Sequence, residues 1–290
     1  GETSKTLETV RLIYQWLATL KAERGHLIIA VGGGVVGDLA GFVAATFMRG
    51  MNLVQVPTSL LAMMDASIGG KTGVDLPEGK NLVGAFHQPQ FVLEDIQTLQ
   101  TLPKRELISG WAEAIKHGLI LDESLLQIFE TQVDSITSLD RQICTDVARR
   151  SVQIKADVVS RDEKETLGLR VLLNYGHTVG HALEVVTKYK KYLHGEAVSL
   201  GMMAAAKIGN IVGLTPASDV ERQRSLLQAY SLPVNMDKIS IPELQQAMTL
   251  DKKNSAGSIK WVVLNGIGHA TTKADISNEV VEEVLRDMMG

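Results

Sequence analysis

Two histidines, His177 and His181, stand four residues apart, and Glu184 follows three residues later. In a helix this spacing places all three side chains on one face. Imidazole and carboxylate groups are typical ligands of catalytic divalent cations, which take three protein ligands and leave one position for substrate or water. The pattern therefore indicates a metal site. Thr178 occupies the place of the general-base glutamate in the H-E-x-x-H motif, which argues against a zinc peptidase.

Two other segments carry the same residue types. His194 is followed two residues later by Glu196, and Glu113 precedes His117 at helical spacing. An isolated histidine more often caps a helix or bonds to a backbone carbonyl than binds a metal. Taken as a group, however, these segments favour a metal site over separate structural roles.

A glycine-rich stretch near the N-terminus fits a second kind of chemistry. Gly32, Gly34 and Gly37 satisfy the pattern G-x-G-x-x-G after a predicted strand and before a predicted helix. In that setting the backbone amides can approach a pyrophosphate at the helix N-terminus. The acidic ribose ligand expected about 20 residues later is absent, since the next carboxylate after Asp38 is Asp65. Phosphate binding is still favoured over a turn that serves packing alone.

A second glycine cluster, Gly69-Gly-Lys-Thr72, is similar to the end of a phosphate-binding P-loop. A P-loop requires a glycine five residues before Gly70, and Asp65 stands there instead. ATP hydrolysis is therefore disfavoured. Lys71 and Lys80, each beside a glycine, remain candidate phosphate or substrate ligands, although either one alone would be interpreted as a surface lysine.

The composition limits the class of protein. The chain has 290 residues, with 33 acidic and 29 basic side chains and a net charge of −4, which argues against a duplex nucleic-acid binder. Its single cysteine, Cys144, excludes a disulfide framework and a cysteine-based zinc cluster. No apolar stretch approaches the ~20 residues that span a bilayer. We expect a cytoplasmic protein without membrane or nucleic-acid partners.

The hydrophobic pattern predicts two domains with different architectures. In the N-terminal part it predicts a helix over 5–23 with Ser4 as N-cap, strands over 27–31, 52–56 and 90–94, and a helix over 38–47. Strand, helix and strand in this order indicate a parallel sheet. Beyond Pro103 the pattern predicts helices over 104–120, 122–160, 176–187, 194–213 and 217–230, a hairpin over 258–264 and 269–272, and a last helix over 277–289.

The predicted fold is thus an α/β nucleotide-binding domain over residues 1–102 and a mostly α-helical metal- and substrate-binding domain over residues 103–290. The first domain is Rossmann-like but incomplete, because a nucleotide-binding sheet usually has more strands than residues 1–102 supply.

Eight short motifs occur in order along almost the whole chain. They are Gly32-Gly-Gly-Val-Val-Gly-Asp38, Val56-Pro-Thr-Ser59, Asp65 with Gly69-Gly-Lys-Thr72, Gly79-Lys-Asn81, Ala112-Glu-Ala-Ile-Lys116, Arg170 to His181, His194-Gly-Glu196 and Asp251-Lys-Lys253. In this order they closely resemble the 3-dehydroquinate synthase family of sugar-phosphate cyclases. The family's sequences begin well upstream of the stretch that Gly1 to Lys5 resembles, so we expect the first strands of the NAD domain to be absent from this chain.

The resemblance implies a lyase of the shikimate pathway of aromatic amino acid and chorismate biosynthesis. Such an enzyme uses NAD and zinc, with cobalt as an alternative metal, and converts 3-deoxy-D-arabino-heptulosonate 7-phosphate to 3-dehydroquinate and phosphate. The implied route is transient oxidation by NAD, elimination of phosphate, reversal of the oxidation and closure of the ring by an aldol step.

The resemblance also implies the roles of individual residues. The metal ligands would be Glu113, His177 and His194, with His181 beside them as a proton relay. NAD would contact Glu2, Lys5, Gly34, Val35, Val36, Gly37, Asp38, Thr58, Ser59, Lys71, Lys80, Thr98 and Thr101. The substrate would contact Asp65, Lys71, Lys80, Asn81, Lys116, Lys155, Arg170, Asn174, His181 and Lys252 or Lys253. In the family an arginine equivalent to Arg49 reaches the phosphate from a neighbouring subunit, which implies a homodimer.

Three other interpretations stay open. A metal-dependent polyol or glycerol dehydrogenase would share the fold but release NADH, and the predicted cationic contacts argue against it because neutral polyols need no such charge. A sugar-phosphate cyclase that makes another carbocycle is harder to exclude, although Arg170, Asn174 and His181 favour the 3-dehydroquinate synthase reaction. The third interpretation is a fragment that binds zinc or a partner without catalysis.

Overall fold

The structure, a computed structural model, describes residues 1–251 and 259–290. The chain divides into two compact units, Gly1–Pro103 and Lys104–Gly290. Among the described residues, no helix is long and apolar enough to cross a membrane.

The first unit contains two α-helices and five strands. The helices are α1 (Leu7–Thr19) and α2 (Gly34–Thr46), and the strands are β1 (Leu27–Gly32), β2 (Asn52–Pro57), β3 (Lys71–Leu76), β4 (Gly79–Phe86) and β5 (Phe91–Val92). Strands β1, β2 and β5 form a parallel sheet in that order. The predicted parallel α/β arrangement is confirmed, with α2 as the crossover between β1 and β2.

Side chains from α1, α2 and β3 form the main apolar core of this unit. The buried members are Val10, Leu17, Leu39, Phe42, Val43 and Val74. Because α2 is anchored in this core, its N-terminus is held at the end of β1, where the glycine loop lies.

Two predictions for the first unit were wrong, and one element was missed. Helix α1 begins after Thr6, whose Oγ1 accepts a hydrogen bond from the N–H of Thr9 at 3.2 Å, and not after Ser4. Helix α2 begins at Gly34 and not at Asp38, so the glycine loop is itself the first turn of the helix. The antiparallel hairpin of β3 and β4 was not predicted, because its glycines hide the alternation that marks a strand.

The second unit is mostly helical, as predicted. Its helices are α3 (Lys104–Leu121), α4 (Glu123–Thr131), α5 (Val133–Thr137), α6 (Arg141–Arg161), α7 (His177–Val186), α8 (His194–Ile211), α9 (Ala217–Ala229), α10 (Ile241–Asp251) and α11 (Asn278–Met289). An antiparallel hairpin joins β6 (Trp261–Leu264) to β7 (Ala270–Lys273). Helices α3 and α8 are buried along most of their length and form the centre of the unit.

The helix predicted over 122–160 is three helices. Asp122 caps α4 by accepting from the N–H of Leu125 at 3.1 Å, and Asp140 caps α6 by accepting from that of Ile143 at 2.9 Å. Between them Leu139 has φ of 60°, which a continuous helix cannot contain. Helix α10 was not predicted, and part of the predicted strand over 258–264 lies outside the described residues.

Candidate functional site

Three helices of the second unit bring Glu113, His177 and His194 together. Glu113 lies in α3, and the two histidines are the first residues of α7 and α8. Their ligand atoms all lie within 4.8 Å of one another. The Oε1 atom of Glu113 is 3.6 Å from Nε2 of His177 and 3.7 Å from Nε2 of His194. The three residues that the family resemblance names as ligands therefore converge on one point.

The start of each histidine-bearing helix is fixed by local contacts. Gly176 caps α7 with φ of 82°, a conformation that glycine adopts without strain. The N-terminus of α8 is held by Glu196, whose Oε2 accepts from the N–H of Leu193 at 2.8 Å. The carboxylate of Glu196 is in turn paired with Arg105 of α3, whose guanidinium donates to both of its oxygens at 2.7 Å.

Hydrogen bonds orient both imidazoles. Nδ1 of His177 lies 3.2 Å from the carbonyl oxygen of Tyr175, and Nδ1 of His194 lies 3.3 Å from Oε1 of Glu184. A proton on Nδ1 that is donated to such an acceptor leaves Nε2 as the ligand atom. Both Nε2 atoms face Glu113, as the ligands of one ion would.

The spacing of these atoms fits a metal ion. Two ligand atoms about 2.1 Å from one ion at the tetrahedral angle lie about 3.4 Å apart, close to the observed separations. Oε1 of Glu113 is buried, and within the described chain it accepts no hydrogen bond. A buried carboxylate oxygen in that state calls for a cation. The three residues therefore fit a divalent metal.

The electrostatics agree with this assignment. Burial opposes ionisation of Glu113, but the Lys116 ammonium and the two imidazoles outweigh burial and hold the pKa of the carboxyl well below its usual value. Burial and Lys116 lower the pKa of His177, so its imidazole is neutral, as a ligand must be. Burial opposes a charge on His194, yet the carboxylates of Glu113 and Glu184 raise its pKa to about 10. The site thus favours a positive charge between these carboxylates, from a proton or a metal.

A second set of residues, His181, Glu184 and His194, also has ligand atoms within 4.8 Å of one another. The rings of His181 and His177 are 5.1 Å apart, so the two sets are adjacent. We favour Glu113, His177 and His194 as the metal ligands, because Glu184 already contacts Nδ1 of His194 and so orients its imidazole. His181 then lies beside the three residues of that set.

The remaining predicted residues of the second unit occupy different settings. Lys116 is 1% exposed and is bonded to Oε2 of Glu113. Lys155 in α6 and Arg170 are buried, and Asn174 is half-buried at the end of a short 3-10 helix, Arg170–Asn174, that precedes α7. Their contact with a substrate stays a prediction. Lys252 and Lys253 lie outside the described residues.

In the first unit, Lys5 joins two predicted site residues. Its ammonium lies 2.6 Å from Oδ2 of Asp38 and 2.5 Å from Oδ1 of Asn81, and it is 3% exposed. Glu2 and Lys80 form an ion pair at 2.6 Å. The N-terminal segment, the start of α2 and the hairpin that follows are therefore tied together by charged groups.

The other predicted residues of this unit lie around the glycine loop or apart from it. A Cβ on Gly33 would lie 3.2 Å from Oγ of Ser59, and the N–H of Thr58 donates to the carbonyl oxygen of Gly32 at 2.9 Å. Burial is the main cause that raises the pKa of Asp38, and the charge of Asp65 raises it further. The structure places the rest as follows: Lys71 opens β3, Arg49 is exposed with φ of 65°, and Thr98 and Thr101 lie in a short 3-10 helix, Ile96–Thr101.

Sequence reasoning missed the groups that orient the ligands. The spacing of Glu184 places it on the histidine face, but spacing does not indicate that it orients His194. The carbonyl oxygen of Tyr175 leaves no trace in side-chain type, so no pattern could have indicated it.

The comparisons with known proteins agree with the geometry. The family model described as 3-dehydroquinate synthase N-terminal matches residues 1–109, and that described as 3-dehydroquinate synthase C-terminal matches residues 110–254. The curated 3-dehydroquinate synthase of Synechocystis sp. is 48% identical over 100% of this chain and 80% of its own length. That of Crocosphaera subtropica is 46% identical over 99% of the chain and 80% of its own length.

Two solved structures are similar to the whole chain. The 2-epi-5-epi-valiolone synthase of Streptomyces hygroscopicus, solved with NAD+ and Zn2+, has a TM-score of 0.92 at 29% identity and covers 99% of this chain and 80% of its own. A 2-deoxy-scyllo-inosose synthase complexed with carbaglucose-6-phosphate, NAD+ and Co2+ has a TM-score of 0.87 at 32% identity, over 99% and 81%. Glycerol dehydrogenase from Schizosaccharomyces pombe, at 14% identity and a TM-score of 0.69, shares the fold alone.

A parallel α/β unit followed by a mostly helical unit is the fold that this chain shares with the two sugar-phosphate cyclases, at TM-scores of 0.92 and 0.87. Within that class, the match of both family models and the identity over the whole chain are decisive. The chain belongs to the 3-dehydroquinate synthase family.

Proposed function

We propose that this chain converts 3-deoxy-D-arabino-heptulosonate 7-phosphate to 3-dehydroquinate and phosphate, as the proteins of its family do. The observation that carries the proposal is the convergence of Glu113, His177 and His194 in a chain that is 48% identical to a curated 3-dehydroquinate synthase. The substrate is a sugar phosphate, and the reaction is a phosphate-eliminating cyclisation that uses NAD and a divalent metal.

When bound, NAD would be the reversible hydride acceptor, and Zn2+ or Co2+ would lower the pKa of an alcohol of the substrate. Glu113, His177 and His194 would hold the metal. Lys116 keeps Glu113 ionised through a direct ion pair, so the carboxylate is ready to bind without first losing a proton. Glu184 and the carbonyl of Tyr175 fix the two imidazoles.

We assign proton transfer to His181. It lies one turn after His177 on the same face of α7, with the two rings 5.1 Å apart, and it is not needed to complete the metal site. An imidazole at this position can accept the alcohol proton and return it, which is the usual role of histidine near neutral pH.

Cationic and amide side chains bind the anionic ends of the substrate. Asp65 is proposed to contact another part of the substrate. The residues that bind the anionic ends are Lys155, Arg170 and Asn174 in the second unit and Lys71, Lys80 and Asn81 in the first unit. Lys252 is proposed for the same role. Holding the phosphate and carboxylate ends fixes the reacting carbon and retains the oxidised substrate until phosphate has left.

The first unit binds NAD. The glycine loop at the start of α2 offers backbone amides to the pyrophosphate, and Glu2, Lys5, Thr58, Ser59, Thr98 and Thr101 complete the proposed contacts. We also propose a cytoplasmic homodimer, in which Arg49 reaches the substrate phosphate of the neighbouring subunit. Its exposed position is compatible with that role.

The competing function is a polyol dehydrogenase, because glycerol dehydrogenase shares the fold. The identities disfavour it, since this chain is 48% identical to a curated 3-dehydroquinate synthase and 14% identical to that dehydrogenase. The test incubates the protein with the heptulosonate phosphate and NAD, and it measures phosphate release and NADH absorbance in the same sample. We expect phosphate to accumulate with no matching rise in NADH. Equimolar NADH and product would contradict the proposal and favour the dehydrogenase.

A further inference from the structure

One buried carboxylate outside the metal centre holds a whole loop in place. Asp162 follows the last residue of α6 and is 2% exposed. Its Oδ1 accepts hydrogen bonds from the N–H groups of Thr166 at 2.8 Å and Leu167 at 2.9 Å. Its Oδ2 accepts from those of Leu169 at 2.9 Å and Arg170 at 3.1 Å. A single side chain thus binds four backbone amides.

The loop that Asp162 holds, residues 163–169, lies on the surface. All of its residues are exposed, whereas Asp162 and Arg170 at its ends are buried. Leu167 is 71% exposed and Leu169 is 42% exposed, so apolar burial does not fix the loop. Charge-assisted hydrogen bonds to a buried carboxylate are strong, and here they fix the loop in place of apolar burial.

Asp162 and the loop together hold both ends of Arg170. Asp162 accepts from its backbone N–H, and Nη1 of its guanidinium donates to the carbonyl oxygen of Glu163 at 2.6 Å. Nε lies 4.0 Å from Oε1 of Glu165. The direction of the buried guanidinium therefore depends on the path of residues 163–165, and that path depends on Asp162.

We propose that Asp162 is the positioning residue for Arg170. This inference rests on the proposed function, in which Arg170 binds an anionic group of the substrate. The metal centre is anchored separately, because the hydroxyl of Tyr175 donates to Oε1 of Gln223 at 2.8 Å between Arg170 and α7. Disturbing Asp162 should therefore affect substrate binding and leave the metal in place.

The first test is Asp162→Asn in the NAD- and zinc-loaded protein. An amide nitrogen in place of one oxygen faces N–H donors, so up to two hydrogen bonds are lost and the loop shifts. We expect KM for the heptulosonate phosphate to rise about tenfold while kcat changes less than about twofold, the signature of lost ground-state binding. Zinc per chain should not change. Asp140→Asn, at the other end of α6, is the matched control and should leave KM unchanged.

A double-mutant cycle then shows whether Asp162 acts through Arg170. If it does, Arg170→Ala raises KM, and adding Asp162→Asn to Arg170→Ala raises KM no further. A second, multiplicative rise in the double variant would overturn the positioning role. If Arg170→Ala raises KM and folded Asp162→Asn does not, the positioning role fails alone. If Arg170→Ala leaves KM unchanged, the proposed substrate contact fails, and the inference fails with it.

Leu169→Pro covers the case in which Asp162→Asn does not fold. It removes one N–H donor to Asp162, and the native φ of Leu169, −79°, is within the range of proline. A smaller rise in KM of the same kind is expected, with circular dichroism and zinc content confirming the fold. A folded Leu169→Pro protein with unchanged KM would overturn the proposal.

Discussion

Gly195 lies directly against Ser109. The N–H of Gly195 donates to Oγ of Ser109 at 2.9 Å, and a Cβ on Gly195 would lie 1.8 Å from the carbonyl oxygen of Ser109. Ser109 is one turn before Glu113 in α3, and Gly195 follows His194 in α8. This contact therefore sets the distance between two of the proposed metal ligands, and only glycine fits it.

Gly195→Ala should weaken the metal site. The new Cβ meets a backbone oxygen, which no side-chain rotation can relieve, so the start of α8 must move. Overpacking of this kind costs about 1–3 kcal/mol. We expect a lower Tm and a higher zinc Kd, measured by thermal unfolding and by competition with a chelator. Gly25→Ala is the control, because its Cβ would meet nothing within 4 Å. An unchanged zinc Kd would contradict the role of this contact.

Glu184→Ala should weaken zinc binding without abolishing it. The carboxylate orients His194 through Nδ1, and loss of such an orienting group typically costs about 10–100-fold in metal affinity. Zinc titration of the metal-free protein measures the change, with the exposed Glu221→Ala as control. Complete loss of zinc would instead make Glu184 a ligand and favour the set of His181, Glu184 and His194.

Lys5→Met should weaken NAD binding. The substitution leaves the mostly buried carboxylate of Asp38 without its ammonium and releases Asn81, so the start of α2 and the hairpin lose their connection. We expect NAD affinity to fall at least about tenfold and the first unit to lose about 1–3 kcal/mol of stability. Calorimetry with NAD measures the first effect. Arg11→Met, which breaks an exposed ion pair with Glu8, should change neither quantity.

The stability of the first unit should depend on pH through Glu94. Burial raises the pKa of Glu94 from 4.5 to about 7, and within the described residues its Oε1 accepts no hydrogen bond. The folded state therefore keeps a proton that the unfolded chain releases above about pH 4.5. The contribution of this bound proton to the stability of the folded state is complete below about pH 4.5. It falls as pH rises and is lost above about pH 7.

Glu94→Gln removes this proton exchange. The variant should be more stable than the parent at pH 8, by up to about 3 kcal/mol at about 1.4 kcal/mol per pKa unit. Denaturant unfolding from pH 4 to pH 8 tests the expectation. Parallel pH profiles for the two proteins would show that Glu94 is not responsible.

The sequence predicts the helices and strands whose apolar pattern and end-marking residues lie within the segment itself. Strands β1 and β2 and helices α3, α7 and α8 lie close to their predicted positions, because each has a clear apolar pattern and an end marked by glycine, proline or a capping residue. His177 and His181 were placed on one face by spacing alone. Residue types alone also favour one metal site shared with the segments of Glu113 and His194. The choice of these two residues as ligands required the family resemblance, since nothing local relates residues in three separate helices.

The features that the sequence could not predict depend on contacts distant in the chain or on backbone atoms. Lys5 meets Asn81 across 76 positions, and no periodicity relates the two. Asp162 binds backbone amides, which every residue type but proline supplies. The break at Leu139 depends on a left-handed backbone conformation that leucine rarely adopts, so the helix pattern continued through it.

Zinc content of purified single variants tests the central claim most directly, that Glu113, His177 and His194 bind the metal. Glu113→Ala, His177→Ala and His194→Ala should each retain little zinc and lose activity by orders of magnitude. His181→Ala should keep about one zinc per chain and lose mainly kcat, because it lies beside the ligands. If His181→Ala lost its zinc while Glu113→Ala retained it, the assignment of the metal site would be wrong.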